Sequence, residues 1–203
     1  MVDPQRVGGV VLCGGQSERM GMSKAWLDYG GEHFLTRIVK TIGQVVTPIV
    51  VAARSGQDLP SLNDDVRVVY DSVSRGGPLV GLLAAFDVLA DKCDAVFVCA
   101  CDQPLITPQF VKKFVDLLED NKAILIEHDG RLHPLTAVYR LSARPLLAEM
   151  VAGEELRAKD FAARCGALTL RSSIFSEVDP KLMSLWNIND RQAYERLRLH
   201  LGL

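Results

Sequence analysis

The five cysteines, Cys13, Cys93, Cys99, Cys101 and Cys165, form no C-x-x-C pair, and their number is odd. That pattern speaks against a zinc ribbon or a disulfide framework, and it predicts buried, reduced thiols in a cytoplasmic setting. No apolar run reaches about 18 residues, so no membrane span is expected. The first nine residues carry Asp3 and Arg6 and no long apolar core, which predicts no secretory signal. A net charge of -2 gives no global pull toward nucleic acid or a membrane surface, so any anionic ligand must be held by local clusters. The four histidines (His33, His128, His133 and His200) lack metal-ligand spacing. No Ser-His-Asp or Cys-His set is visible either.

What the chain does have is an ample apolar complement, 48% of 203 residues against 24% charged, as suits a globular domain. Strand-like and helix-like runs alternate. Strands are predicted over 7–13, 48–53, 66–70, 95–100, 123–126 and 134–139. Helices are predicted over 33–46, 78–89, from Thr107-Pro108 onward, over 143–150 and 155–165 with a break near Gly153, and at the C-terminus, where Asp190 can serve as N-cap. Repeated strand–helix–strand units imply an α/β fold with a mostly parallel central sheet covered on both faces. Ligands of such sheets bind at the carboxyl ends of strands. A glycine-rich loop, Asp71 and Asp102 each follow a predicted strand at that end.

The glycine-rich run is Val10-Val11-Leu12-Cys13-Gly14-Gly15-Gln16-Ser17-Glu18-Arg19-Met20-Gly21-Met22-Ser23-Lys24. Glycines let backbone N–H groups approach an anion, and successive N–H groups in such a turn make an anion-binding nest. Arg19 and Lys24 add positive charge where phosphate oxygens would lie. The run predicts a polyphosphate site, hence a nucleotide. It is not a Walker loop, because five residues separate Gly15 from Gly21 and Lys24 lies three beyond Gly21. The adjacency of Gly14 and Gly15 also breaks the dinucleotide pattern. Arg54, at the end of the second strand, could still suit a 2′-phosphate, which leaves an NADPH-type oxidoreductase as a distant alternative.

The spacing Leu12-x-Gly14-Gly15-x-x-x-Arg19-Met20-Gly21-x-x-Lys24 resembles the molybdenum cofactor guanylyltransferases, the MobA-like nucleotidyltransferases. Four further matches follow in order: Gly77-Pro78-Leu79-Val80-Gly81, Cys101-Asp102-Gln103-Pro104-Leu105, His133-Pro134-Leu135 and Asn187-Ile188-Asn189. Together they cover nearly the whole chain. The resemblance implies a three-layer Rossmann-like nucleotidyltransferase fold in one domain, 1–203, with a nucleotide half of about 1–105 and an acceptor half of about 106–203. It implies transfer of GMP from GTP to the terminal phosphate of molybdopterin, with Mg²⁺ as cofactor. Cofactor-delivery or acceptor molybdoenzyme proteins are implied as further partners.

Residue by residue, the resemblance assigns nucleotide binding to Leu12, Cys13, Gly14, Gly15, Gly21, Lys24, Asp71 and Asp102. Lys24, Arg19 and Asp102 are the expected catalytic groups, and Asp102 is the expected metal ligand, since Mg²⁺ takes one or two protein oxygens plus phosphate oxygens and water. Asn187 and Asn189 are candidates for the acceptor side or the metal's outer shell; the plainer reading is that Asn189-Asp190 only starts the last helix. Arg157, Lys159 and Arg164 suit either an anionic acceptor or a solvated helix face. The chain departs from the family pattern at Cys13, usually Ala, at Ser23, usually Asp, and at Arg54, where many members carry Asn. Gln103 is similar to the related cytidylyltransferases. A cytidylyl- or sugar-phosphate nucleotidyltransferase and a non-catalytic nucleotide-binding relative are the alternatives.

Overall fold

The computed structural model describes residues 6–14, 23–71 and 77–203. Its elements, in chain order, are β1 (Val7–Leu12), α1 (Phe34–Ile42), β2 (Ile49–Arg54), β3 (Arg67–Asp71), α2 (Gly77–Leu89), β4 (Ala95–Ala100), α3 (Pro108–Leu118), β5 (Ala123–His128), β6 (Arg131–Arg140), α4 (Arg144–Ala152), α5 (Ala158–Arg164), β7 (Leu168–Arg171) and α6 (Arg191–Leu201). Seven strands form one sheet in the order β3-β2-β1-β4-β6-β5-β7. β3, β2, β1 and β4 run parallel, and β6 runs against both β4 and β5. β7 pairs in parallel with β5, so β6 is the one reversed strand of this sheet.

The central strands are buried on both faces, which is why they read as continuous apolar runs. Alternate residues divide between two cores. Val11, Val51, Phe97 and Cys99 join Ile38 and Ile42 of α1 and Phe110 and Phe114 of α3 on one face. Val10, Leu12, Val50 and Val98 join Leu82 and Phe86 of α2 and Phe161 of α5 on the other. Helices on both sides of one sheet make three layers.

Local signals set several boundaries. Thr107 caps α3, its side chain accepting from the Phe110 N–H at 3.2 Å, with Pro108 in the first turn. Asp190 caps α6 in the same way, accepting from the Ala193 N–H at 2.8 Å. Gly81 is needed for a close approach: a Cβ there would stand 3.2 Å from the Ala52 Cβ, so its absence lets the start of α2 lie against the end of β2.

Four expectations need adjusting. The first helix stops at Ile42, and residues 43–46 continue as a turn with the Val46 N–H bonded to the Ile42 carbonyl. The helix expected over 155–165 begins only at Ala158, because Arg157 before it is extended (φ −85°, ψ 118°). The strands expected over 123–126 and 134–139 are longer and form a hairpin through Asp129-Gly130, both at positive φ. β7 is an additional strand, only four residues long and mostly exposed.

Candidate active site

The parallel strands β1, β3 and β4 bring Leu12, Asp71 and Ala100 to the same edge of the sheet. Cys13 and Gly14 leave β1 there, with the Cys13 N–H donating to the Ala52 carbonyl at 2.7 Å. Cys101 and Asp102 leave β4 beside them, and the Cys101 N–H donates to the Leu12 carbonyl at 3.0 Å. The convergence expected from strand ends is therefore realised for Leu12, Cys13, Gly14, Asp71 and Asp102. Gly15, Arg19 and Gly21 lie outside the described residues.

Lys24 opens a short 3₁₀ turn, Lys24–Trp26, and extends to the end of β4. Its Nζ donates to Asp102 Oδ2 at 2.9 Å and to Asn189 Oδ1 at 2.7 Å. Both members of the ion pair are largely shielded, with side-chain exposures of 17% and 16%. A shielded, hydrogen-bonded pair of this kind interacts more strongly than one on the open surface. The three residues come from distant parts of the chain, and Asn189 lies 165 positions beyond Lys24.

Asn189 arrives through a small core of its own. Ile188 is fully buried with Leu27, Phe34, Ala193 and Leu197, and Trp186 and Tyr194 pack around them. The Ile188 N–H donates to the Asp102 carbonyl at 2.8 Å, which fixes the Asn187-Ile188-Asn189 segment against the end of β4. Asn189 is thus part of the charged cluster and does more than precede α6.

Asp102 Oδ1 in this cluster, and Asn187 Oδ1 two residues before Asn189, are buried without a hydrogen-bond partner among the described residues. Unpaired buried oxygens are costly, and hard oxygen donors suit a small divalent cation. The residues therefore fit a Mg²⁺ ion. Among the described residues no group of three or more His, Cys, Asp or Glu could hold a metal.

A second junction lies on the other side of β1. Asp71 Oδ1 accepts from the Ser55 N–H at 3.4 Å. A Cβ on Gly14 would stand 3.5 Å from Asp71 Oδ2 and 3.5 Å from the Arg54 nitrogen. Gln57, which the sequence does not single out, donates from Nε2 to the Cys13 carbonyl at 3.0 Å and to Ser23 Oγ at 3.3 Å. Its Oε1 accepts from the Arg54 N–H at 3.0 Å. It sits in the polar stretch Ser55-Gly56-Gln57-Asp58, where nothing but the fold distinguishes it from a solvated loop residue.

Other candidates take structural places. Gln103 is only 2% exposed and donates to Thr136 Oγ1 at 2.7 Å, so it faces the core and not a base. Arg164 bridges Glu149 and Glu155 at 2.6 and 3.1 Å, tying α4 to α5, which supports the helix-face reading of that basic stretch. Phe175 is fully buried against Phe110 and Phe114. All five cysteines are buried and unpaired, and Cys101 is held up in pKa by its hydrogen bond to Cys13 and by burial.

The rim thus pairs a shielded lysine with an aspartate and an asparagine. Residues 9–167 match the MobA-like NTP transferase domain. The chain belongs to the MobA-like NTP transferase family. A relative from Mycobacterium avium, named "Probable molybdenum cofactor guanylyltransferase", is 36% identical over 160 residues, covering 75% of this chain and 79% of the relative. The molybdenum cofactor guanylyltransferase of Rhizobium rhizogenes is 32% identical over 195 residues, 93% of this chain and 89% of that protein. Among solved structures, molybdopterin-guanine dinucleotide biosynthesis protein A from Archaeoglobus fulgidus superposes with a TM-score of 0.80 at 20% identity. That superposition spans 96% of this chain and 98% of the other, so the MobA-like fold extends over nearly all of both. The second relative's alignment runs well beyond the 159 or so residues of the family match, toward the length that includes Asn187 and Asn189.

Proposed function

We propose that this protein transfers GMP from GTP to the terminal phosphate of a molybdopterin-type cofactor and releases pyrophosphate. The observation that carries the transfer chemistry is the shielded Lys24–Asp102–Asn189 cluster with the unpartnered Asp102 Oδ1. The choice of nucleotide and acceptor is supported by the names of the curated relatives. Leu12, Cys13 and Gly14 would face the nucleoside, and Asp71 would meet it from the end of β3. Arg19, Gly15 and Gly21 complete the phosphate site in this reading.

The acceptor phosphate, a monoester carrying about -1.5 to -2 charge near neutral pH, is already a nucleophile and needs no base. It attacks the α-phosphorus of GTP; the new P–O bond forms as the bond to the bridging oxygen breaks, and the electron pair leaves with pyrophosphate. The protein's task is to neutralise charge and to align two anions. Lys24 supplies positive charge at the rim and is held in place by Asp102 and Asn189. Asp102 Oδ1 would hold Mg²⁺, which would supply charge neutralisation at the phosphate oxygens, with Asn187 a candidate for its outer shell. In this reading Asn189, bonded to Lys24, would join the acceptor half, about 106–203, to the nucleotide half, about 1–105, of a single domain. The five buried, unpaired thiols support a cytoplasmic setting.

The test is pyrophosphate release from GTP, CTP, ATP and UTP with Mg²⁺ and molybdopterin. GTP alone is expected to react. Preference for CTP would make the protein a cytidylyltransferase, and no reaction with any nucleotide would make it a non-catalytic relative.

A further inference from the structure

One amide side chain ties together the two described segments that flank residues 15–22. Gln57 Nε2 carries two hydrogens, and they point to the Cys13 carbonyl at the end of β1 and to Ser23 Oγ just before Lys24. Cys13 and Ser23 are ten positions apart in sequence, yet a single NH₂ group reaches both. The same nitrogen lies 3.5 Å from Cys13 Sγ. On its other side, Gln57 Oε1 accepts from the Arg54 N–H, and the Gln57 N–H donates to the Arg54 carbonyl at 3.0 Å, closing the turn after β2. That turn contains Ser55, whose N–H meets Asp71.

We infer that Gln57 is a positioning residue for the nucleotide: it sets Lys24 and Asp71 relative to Cys13 and Gly14. The inference rests on the nucleotidyltransferase reading above. Gln57 takes no part in the chemistry. It acts through Ser23, next to Lys24, and through Arg54, next to the Ser55 whose N–H meets Asp71. Only an amide does this, because two donors and one acceptor are needed on one planar group. A carboxylate would set an acceptor oxygen against the Cys13 carbonyl. An apolar residue would leave Cys13, Ser23 and Arg54 unlinked. Gln57 is half-buried and outside the apolar clusters, so its packing gives no separate reason for a glutamine.

The test compares wild type with Gln57→Ala and Gln57→Glu by steady-state kinetics with GTP, Mg²⁺ and molybdopterin. Both variants are expected to raise KM for GTP about tenfold, with kcat changed less than about twofold and KM for the acceptor unchanged. Ser23→Ala, which removes only the hydroxyl contact, is expected to raise KM for GTP about two- to threefold. A merely structural role would lower kcat through loss of folded protein and leave both KM values alone; that result, or an unchanged KM for GTP, overturns the inference. If Gln57→Ala melts far below wild type, Ser23→Ala decides, and an unchanged KM in it counts against the inference. A wild-type protein inactive with GTP would refute the function reading itself, and the kinetic comparison separates that failure from this one.

Discussion

The two sides of β1 present different kinds of site at the same edge of the sheet. Toward β4 stands a charged cluster, Lys24, Asp102 and Asn189, whose members come from the beginning, middle and end of the chain. Toward β2 and β3 stands a junction of backbone groups and one amide, Cys13, Gly14, Arg54 and Gln57, with Asp71 at its rim. The first concentrates charge and holds an unpartnered oxygen. The second has its polar groups paired to each other and fixes distances. Charge on the β4 side suits the reacting phosphates, and a well-paired junction on the β2 side suits recognition of the nucleotide. Chemistry and positioning can therefore be perturbed separately.

The sharpest way to break this division is Asp102→Ala. It removes both the lysine's partner and a candidate metal ligand, and transfer is expected to fall by about 10³-fold or more while the melting temperature moves by a few degrees. Wild-type turnover in that variant would remove Asp102 from the mechanism. Lys24→Ala comes next. A loss of about 10²-fold in kcat/KM is expected, divided between weaker GTP binding and slower transfer, as steady-state kinetics on the purified variant would show.

On the other side of β1 the effects should be smaller and confined to binding. An added methyl at Gly14 meets Arg54 and Asp71 only at ordinary contact distance, so Gly14→Ala should fold as wild type does. It narrows the gap between the end of β1 and Asp71. KM for GTP is expected to rise about three- to tenfold with kcat held, and a fall in kcat alone would count against the division.

The smallest expected effect concerns His133, near the start of β6. Burial lowers the pKa of His133 from its ordinary 6.5, with help from His128 and Arg131. The unfolded chain then takes up this proton at a higher pH than the folded chain, so the group's stability contribution is intact above about 6.5 and declines as pH falls through that value. Thermal melts of wild type and His133→Gln between pH 5 and 8 should converge as the solution is acidified. Parallel curves would mean that His133 titrates normally.

Much of this was legible in the sequence, for identifiable reasons. β1, β2 and β4 are buried on both faces and so appear as unbroken apolar runs, and the residues that end them must lie at one edge of a parallel sheet. Asp71 and Asp102 could be picked out on that ground. Thr107-Pro108 and Asp190 announce their helices because caps are local. β7 was hidden because Leu168, Thr169 and Arg171 are exposed and its pairing with β5 is long-range. The direction of β6 was hidden for a related reason, since a hairpin reverses a strand without altering its pattern of apolar residues. Gln57 left no mark, because its partners are two backbone groups and a serine hydroxyl, none of which constrains composition. The Asn187-Ile188-Asn189 tripeptide was visible as a motif. Its union with Lys24 depends on burial of Ile188 among Leu27, Phe34 and Leu197, a tertiary contact that no spacing encodes.

The most direct test follows the α-phosphate. GTP labelled at that position is incubated with Mg²⁺, molybdopterin and either wild type or Asp102→Ala. The account predicts label in the pterin product with wild type, unlabelled pyrophosphate released in equal amount, and no transfer above background with the variant. Label appearing in the product at the wild-type rate with Asp102→Ala, or GTP bound by wild type without any label reaching the acceptor, would contradict it.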